Sequence, residues 1–236
     1  YQSMYPNTTG HSNTASGYQS LYSNTTGHSN TASGYESLNA NTTGNFNTAS
    51  GRESLKSNTT GAQNTASGYQ SLQSNTTGSN NTASGRSALY SNTTASYNTA
   101  VGYYALWDAN RTADVNAYNT ALGYNAGNSG TNDITTGQYN VLLGASTAAS
   151  QAAASNQIVI GYGASGHGDN IAVIGNTDMT AWHPADDNGV DLGSSSYEYK
   201  DLYVDGVAYV DAIGMGSTAM TLPTADGSAN QVLKTN

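Results

Sequence analysis

A glycine recurs every 17 residues through the first hundred residues, and this repeat constrains the fold more than any other feature of the chain. Each glycine follows the tetrad Asn-Thr-Ala-Ser or a variant of it. After Gly102 the spacing becomes 21, 21, 17 and 14 residues, and the pattern persists. The ten members of this glycine column are Gly17, Gly34, Gly51, Gly68, Gly85, Gly102, Gly123, Gly144, Gly161 and Gly175. Such a period predicts a solenoid of about ten coils, each stacked on the next.

Each coil carries a second turn signal, the tetrad Asn-Thr-Thr-Gly, which starts at Asn7, Asn24, Asn41, Asn58 and Asn75 and becomes Asn-Thr-Thr-Ala at Asn92. Glycine accepts positive φ and asparagine tolerates it next best, so both signals predict turns. Between them we expect two strands of about five residues each. Glycine, β-branched and short polar residues at fixed spacing disfavour helix. The prediction is an all-β parallel β-solenoid with ~17-residue coils about 4.8 Å apart. We interpret the small-residue run 145–155 as an insertion at a coil corner.

Two further columns predict an inner and an outer surface. A leucine four residues after the glycine predicts the core: Leu21, Leu38, Leu55, Leu72, Leu89 and Leu106. The residue directly after the glycine predicts an exposed ridge: Tyr18, Tyr35, Arg52, Tyr69, Arg86, Tyr103 and Tyr124. Stacked tyrosines and arginines would form cation–π contacts of ~0.5–1 kcal/mol each. The sequence leaves open whether this ridge is a stabilising ladder or a stripe that binds a glycan or another surface.

The coils are too thin to be stable alone. Each early coil offers one leucine and a few small side chains, which cannot offset the ordering of 17 residues without lateral partners. Packing three rolls about a common axis would bury a second face of every coil. We therefore expect a homotrimer.

Composition excludes several classes of function. Only 9% of the residues are charged and the net charge is -9, with the acidic residues concentrated after residue 100, so no nucleic-acid partner is expected. The absence of cysteine excludes disulfides, zinc–thiolate sites and thiol catalysis. No apolar run approaches the ~20 residues of a membrane helix, so we expect no membrane insertion. We also expect no cofactor.

Two pairs of titratable residues occupy equivalent positions in successive coils. Glu36 and Glu53 would lie about 4.8 Å apart, close to the ~5 Å carboxylate separation of retaining glycosidases. The neighbouring basic residues favour a solvated surface column instead, and we expect a protein that is not an enzyme. His11 and His28 could meet their trimer mates at the axis and bind a metal. Asparagine, alanine and serine replace histidine in later coils, which favours a variable turn position.

Two other patterns are weaker candidates. Asp186, Asn188 and Asp191 offer the oxygen ligands of a calcium loop without the spacing of an EF-hand, so a plain turn is favoured. The Asn-Thr-Thr triplets match N-glycosylation sequons, and turn geometry explains these asparagines equally well. His167 and His183 are interpreted as surface residues.

Parts of the chain resemble known fibrous proteins. Asn156–Gly161 and Asn170–Gly175 resemble the head repeats of trimeric autotransporter adhesins, and the longer units resemble related repeats of bacteriophage tail fibres and large bacterial surface proteins. This resemblance implies a left-handed parallel β-roll trimer. Val190–Gly206 resembles the segment before the C-terminal intramolecular chaperone of phage tail fibres and spikes, and 222–236 is similar in character. The coiled-coil stalk and anchor barrel of the autotransporter pattern are not seen in this sequence.

These observations predict two domains, a repeat shaft at 1–176 and a small β-rich trimeric module at 177–236. Within the module, alternation over 199–209 predicts strands joined at Asp205-Gly206. The chain opens in the middle of a repeat, so we expect it to be a fragment. The expected role is the shaft of a phage tail fibre that presents a host-receptor-binding end, on the virion tail. The alternatives are a bacterial surface adhesin or extracellular filament and, less favoured, a polysaccharide-degrading tailspike.

Overall fold

The computed structural model describes residues 2–110, 116–129, 132–183, 192, 194 and 196–205, together with the backbone of two short strands near the C-terminus. It confirms an all-β parallel solenoid. The ten strands of the solenoid are β1 (Thr14–Ser16), β2 (Thr31–Ser33), β3 (Thr48–Ser50), β4 (Thr65–Ser67), β5 (Thr82–Ser84), β6 (Thr99–Val101), β7 (Thr120–Leu122), β8 (Val141–Leu143), β9 (Ile158–Ile160) and β10 (Ala172–Ile174). They form one sheet in chain order. Over the described ranges there is no helix, and hence none long and apolar enough to cross a membrane.

Equivalent residues of successive coils pair with one another throughout the sheet. Thr14 pairs with Thr31, and Ala15 pairs with Ala32, in parallel register. Ala121 pairs with Leu142 in the same way, although 21 residues separate them. The longer coils therefore accommodate their extra residues outside the sheet, and the ladder continues unbroken.

The prediction of two five-residue strands per coil is wrong, because each coil contains one strand of three residues. From Gly17 to Gly102, the second and fourth residues after each column glycine are left-handed, as at Gln19 (φ 51) and Leu21 (φ 49). These conformations prevent a second strand. Left-handed conformations are costly for residues other than glycine. Backbone hydrogen bonds between coils compensate this cost, such as Leu21 N to Ser37 O at 3.0 Å. Regular hydrogen bonding therefore extends well beyond the strands.

The column glycines are required by both backbone conformation and space. Gly51 has a φ of 135, and a Cβ atom on it would lie 2.5 Å from the carbonyl oxygen of Gly68. The expectation that the asparagines of the two turn signals supply positive φ is wrong. At the Asn-Thr-Ala-Ser signal the left-handed residue is the one before the tetrad, for example Ser29 (φ 56) before Asn30. The asparagines have a different function, described below.

The core consists of the middle residue of each strand and the leucine column. All six leucines are fully buried, as are the strand alanines from Ala32 to Ala121. The leucine column ends at Gly127, where a Cβ atom would lie 2.8 Å from Leu106 Cδ2. There Ile134 and Leu142 enter the core as fully buried side chains. Larger residues thus replace the lost leucine volume toward the C-terminal end.

The run 145–155 is not an insertion, contrary to expectation. It belongs to a coil of ordinary length between Gly144 and Gly161, and Ala148 forms a parallel bridge with Ser165 of the next coil. Three of its alanines, Ala148, Ala149 and Ala154, are buried, whereas Ala152 and Ala153 are exposed.

Contacts along the chain divide it into two units, Tyr1–Ala181 and Trp182–Asn236. In the second unit β11 (Ala212–Met215) pairs antiparallel with β12 (Thr218–Thr221), with Ala212 opposite Thr221. The hairpin predicted over 199–209 is wrong for 199–205, which contain no strand. Residues 206–209 lie outside the described residues.

Candidate interaction surfaces

From Tyr18 to Tyr124, the residues after the column glycines form a continuous stack along one edge of the roll. The rings of Tyr18 and Tyr35 are stacked with centroids 5.3 Å apart and planes 14° apart. Tyr103 and Tyr124 stack in the same way at 5.5 Å and 11°. The parallel coil register places successive members of the column directly above one another, so the stacking follows from the backbone ladder.

Two arginines occupy positions within this stack. The guanidinium carbon of Arg52 lies 5.3 Å from the ring centroid of Tyr35 and 5.8 Å from that of Tyr69. Arg86 is equally sandwiched, 5.5 Å from both Tyr69 and Tyr103. Neighbours cover the ring faces of these members, so the ridge presents ring edges, phenol hydroxyls and guanidinium N–H groups to solvent. This geometry favours the stabilising-ladder interpretation for Tyr35 to Tyr103.

Hydrogen bonds and charges beside the ridge raise the pKa of two of its tyrosines. The hydrogen bond and negative charge of Glu36 raise the pKa of Tyr35. A hydrogen bond with Tyr104 raises the pKa of Tyr103. The phenols of both residues therefore lose their protons at a higher pH than an ordinary tyrosine.

The interpretation of Glu36 and Glu53 as a solvated column is wrong, because Glu53 is only 7% exposed. Its Oε1 accepts hydrogen bonds from Nε and Nη2 of Arg52, both at 3.1 Å. Its Oε2 accepts from Gln70 at 2.8 Å and from Gln73 at 3.0 Å. The next coil buries this carboxylate.

The two glutamates are bound to different cations and do not act as a free carboxylate pair. Lys56 Nζ lies 2.6 Å from Oε2 of Glu36. The hydrogen bond from Gln70, together with the hydrogen bonds and charge of Arg52, lowers the pKa of Glu53 despite its burial. A glycosidase requires one carboxyl group that is protonated near neutral pH. The environment of Glu53 favours the opposite, because it lowers the pKa of that carboxyl group.

The equivalent histidines form a short stack at a corner of the roll. The rings of His11 and His28 are parallel, 5.0 Å apart, and His28 meets Phe46 edge to face. No group of three or more metal-binding side chains occurs among the residues that the structure describes. The candidate calcium ligands Asp186, Asn188 and Asp191 lie outside those residues. His167 and His183 are exposed.

The asparagines of both turn signals form buried ladders, which the sequence did not predict. Asn30 donates its backbone N–H to Asn13 Oδ1 at 2.9 Å and its Nδ2 to the carbonyl of Gly44 at 2.8 Å. The second ladder links Asn24, Asn41, Asn58, Asn75 and Asn92 through amide-to-amide hydrogen bonds. These five side chains are fully buried, so their sequons are inaccessible in the folded roll. The repetition of asparagine at both positions in every coil was the available signal.

The outer sheet face, formed by the first and third residues of each strand, changes character along the chain. In β1 to β5 these residues are exposed threonines and serines. From β6 onward the third residues are apolar: Val101, Leu122, Leu143, Ile160 and Ile174. Leu122 is 51% exposed, Ile158 43% and Ile174 41%. Large apolar side chains in this number on a regular sheet are typical of a protein contact surface.

A second tyrosine ladder borders the apolar half of this face. Tyr97 and Tyr118 stack at 4.8 Å, and Tyr118 and Tyr139 stack at 5.5 Å. All three rings are exposed. Alignment on the asparagine column reveals them, since they are the residues directly before Asn98, Asn119 and Asn140.

No protein-family model matches this chain, and comparisons with curated proteins and with solved structures find no significant similarity. The fold and these surfaces are therefore the basis for inferring a function.

Proposed function

We propose that the protein is a non-enzymatic fibre segment, the homotrimeric shaft of a phage tail fibre that carries a host-receptor-binding end. The observation that carries the proposal is the outer sheet face, whose third strand positions become apolar over β6 to β10 while the face stays exposed or half-buried in the single chain. Its location would be the virion tail.

The solenoid has the mechanical character that such a shaft needs. Nine steps between ten stacked strands, at about 4.8 Å each, give a length of roughly 43 Å. Backbone hydrogen bonds connect every coil to the next, and asparagine ladders and stacked side chains reinforce many of these connections. Bending would strain all of these ladders together. A stiff spacer is therefore the natural use of this architecture.

Self-association is supported by the periodicity of the outer sheet face. Its apolar rows repeat at the coil spacing, and only a partner with the same spacing can remain in register over five strands. Another copy of this chain, running parallel, meets that condition. Three copies around an axis would cover the apolar rows and shield the exposed Tyr97, Tyr118 and Tyr139 ladder from water.

Sedimentation velocity tests the assembly. The wild-type chain should sediment as a species of about three times its 24.3 kDa mass. Replacing both Leu122 and Ile174 by lysine places charges on the contact face and should give a monomer. Tyr18→Lys, an equally exposed change on the ridge, should remain trimeric. A folded wild-type monomer, or a trimer that tolerates the double lysine variant, would contradict the proposal.

A bacterial surface adhesin or extracellular filament is the second candidate. The Asn156–Gly161 and Asn170–Gly175 segments favour it, since they resemble adhesin head repeats. The neighbouring genes distinguish the two: tail-assembly genes support the phage fibre, and a secretion barrel supports the adhesin. Adsorption of the purified protein to bacterial cells, with competition against phage adsorption, tests the receptor-binding role directly.

A further inference from the structure

Two residues that follow column glycines carry neither a ring nor a guanidinium: Ala145 and, after the last glycine, Asn176. Only Ala145 has a tyrosine on each side in the column. Beyond Tyr124 the column continues with Ala145 and then Tyr162. The backbone ladder fixes this order in space, because Ser146 N donates to the carbonyl of Tyr124 at 2.8 Å and Gly163 N donates to that of Ala145 at 2.9 Å. Ala145 therefore lies between two tyrosines, each one coil away.

Exposure of the flanking tyrosines reflects the missing neighbour. Tyr124 is 57% exposed and Tyr162 is 75% exposed, compared with 43% for Tyr35 and 36% for Tyr69, which have stacked neighbours on both sides. Tyr124 stacks on Tyr103 from one side. Tyr162 makes no ring contact with any residue that the structure describes. Each of these rings thus has an uncovered face.

The same chain shows what fits between two tyrosines separated by two coils. Tyr69 and Tyr103 have this separation, and Arg86 lies between them at 5.5 Å from both ring centroids. Arg52 repeats the arrangement between Tyr35 and Tyr69. A flat cation gains from both ring faces, because each presents the negative side of its quadrupole. The net charge of -9 also favours a cationic ligand over an anionic one.

We propose that the gap at Ala145 is a binding slot for a guanidinium group, supplied by an arginine side chain of a partner or by a small guanidinium compound. Tyr124 and Tyr162 form its two walls, and Ala145 forms its floor. The slot does not depend on the proposed fibre role or on trimer formation, and it lies on the ridge and not on the outer sheet face.

Titration of the intact protein with methylguanidinium chloride at constant ionic strength tests the slot. Tyrosine ring signals would be followed by NMR on 13C-tyrosine-labelled protein, assigned with Tyr124→Phe and Tyr162→Phe. We expect saturable shifts confined to Tyr124 and Tyr162, and Tyr162→Ala should weaken binding about threefold. Methyl glucoside serves as the sugar-ring probe. Saturable binding of the glucoside in place of methylguanidinium would overturn the assignment.

Ala145→Arg supplies the guanidinium within the chain and adds an independent readout. This variant should lose methylguanidinium binding and raise the melting temperature, because it completes the stack. The matched control is Ala62→Arg, which makes the same change where the column neighbours are Asn45 and Ser79. It should retain wild-type binding and gain no stability. An Ala145→Arg protein that still binds the probe, or a wild-type protein without saturable shifts, would refute the slot.

Discussion

Asn41 Nδ2 donates a hydrogen bond to Asn24 Oδ1 at 2.9 Å, and both side chains are fully buried. The same Nδ2 atom also donates to the carbonyl of Gly44 at 3.0 Å. Each amide of the ladder therefore donates within its own coil and to the preceding coil, while its oxygen accepts from the following one. A buried polar group is tolerable only when it is hydrogen-bonded. The ladder meets that condition in every coil from Asn24 to Asn75 and specifies the stacking of a roll with a small apolar core.

Replacing Asn58 by aspartate should break this ladder. Asn58 Nδ2 donates to Asn41 Oδ1 at 2.8 Å and to the Gly61 carbonyl at 3.0 Å. A carboxylate would place a buried negative charge against both acceptors, so we expect a loss of about 3 kcal/mol of unfolding free energy at pH 7. The unfavourable site raises the folded-state pKa of the new aspartate, so the deficit should shrink as the pH falls. Urea denaturation at pH 7 and pH 4 measures both effects.

Asn7→Asp is the matched control for that experiment. Asn7 is exposed, and its Oδ1 accepts a hydrogen bond from Asn24 Nδ2, which a carboxylate can also do. Its Nδ2 donates to the Gly10 carbonyl at 2.7 Å, and aspartate loses this bond where water can replace it. Its loss of stability should be well under half that of Asn58→Asp. Equal losses in the two variants would contradict a buried ladder.

The 17-residue period was sufficient to predict the parallel register, because equivalent residues pair only if each coil stacks on its neighbour. It did not predict the path within a coil. Leu21 and Leu55 adopt left-handed conformations that their residue type disfavours, and the backbone hydrogen bonds that compensate them come from another coil. The conformational preference of a single residue type cannot predict a backbone conformation that is stabilised by hydrogen bonds to another coil.

The environment of Glu53 was unpredictable for a similar reason. The column also contains Gln19 and Ser87, which indicates a tolerant surface position. Gln70 and Gln73 of the following coil cover this carboxylate in the structure. Burial here depends on two specific long side chains, whereas the period describes only what the coils have in common. The partner of the apolar outer sheet face was equally unpredictable. Alternation along a strand shows that the strand has two faces, but it does not show what covers the outer one.

Glu53 should make the stability of the solenoid sensitive to acid. The folded-state pKa of Glu53 lies below its usual value of about 4.5, mainly because of the hydrogen bonds from Gln70 and Arg52. Its contribution is therefore complete above about pH 4.5 and is lost as the pH falls through the lower folded-state pKa. Glu53→Gln should cost about 1–2 kcal/mol at pH 6 and much less at pH 3. Urea denaturation at the two pH values gives the comparison.

The control for this prediction is Glu198→Gln, which removes an exposed carboxylate from the second unit. It should leave stability unchanged at both pH values. A Glu53→Gln protein that is equally destabilised at pH 6 and pH 3 would show that the carboxylate charge contributes nothing.

The two ridge arginines should differ in their contribution to stability. Arg86→Gln removes cation–π contacts with Tyr69 and Tyr103, which should cost about 1 kcal/mol. Arg52→Gln removes equivalent contacts and also two hydrogen bonds to Glu53, so it should be more destabilising than Arg86→Gln. Hydrogen exchange of the amides in the affected coils measures both losses. The ladder interpretation fails if Arg86→Gln leaves exchange unchanged or if Arg52→Gln has the smaller effect.

Replacing Leu55 by aspartate should open the solenoid locally. Leu55 is fully buried, so an aspartate there must be protonated or must expose its coil to water. Because each coil contacts only its neighbours, we expect proteolytic cleavage within 47–64 and a protected fragment that starts beyond about Gly68. Limited proteolysis with mass spectrometry identifies the cleavage sites. Gln63→Asp is the control, since Gln63 is exposed and already left-handed, a conformation that aspartate tolerates. A Leu55→Asp protein without new cleavage, or a control cleaved at the same sites, would show that the leucine column does not hold the coils together.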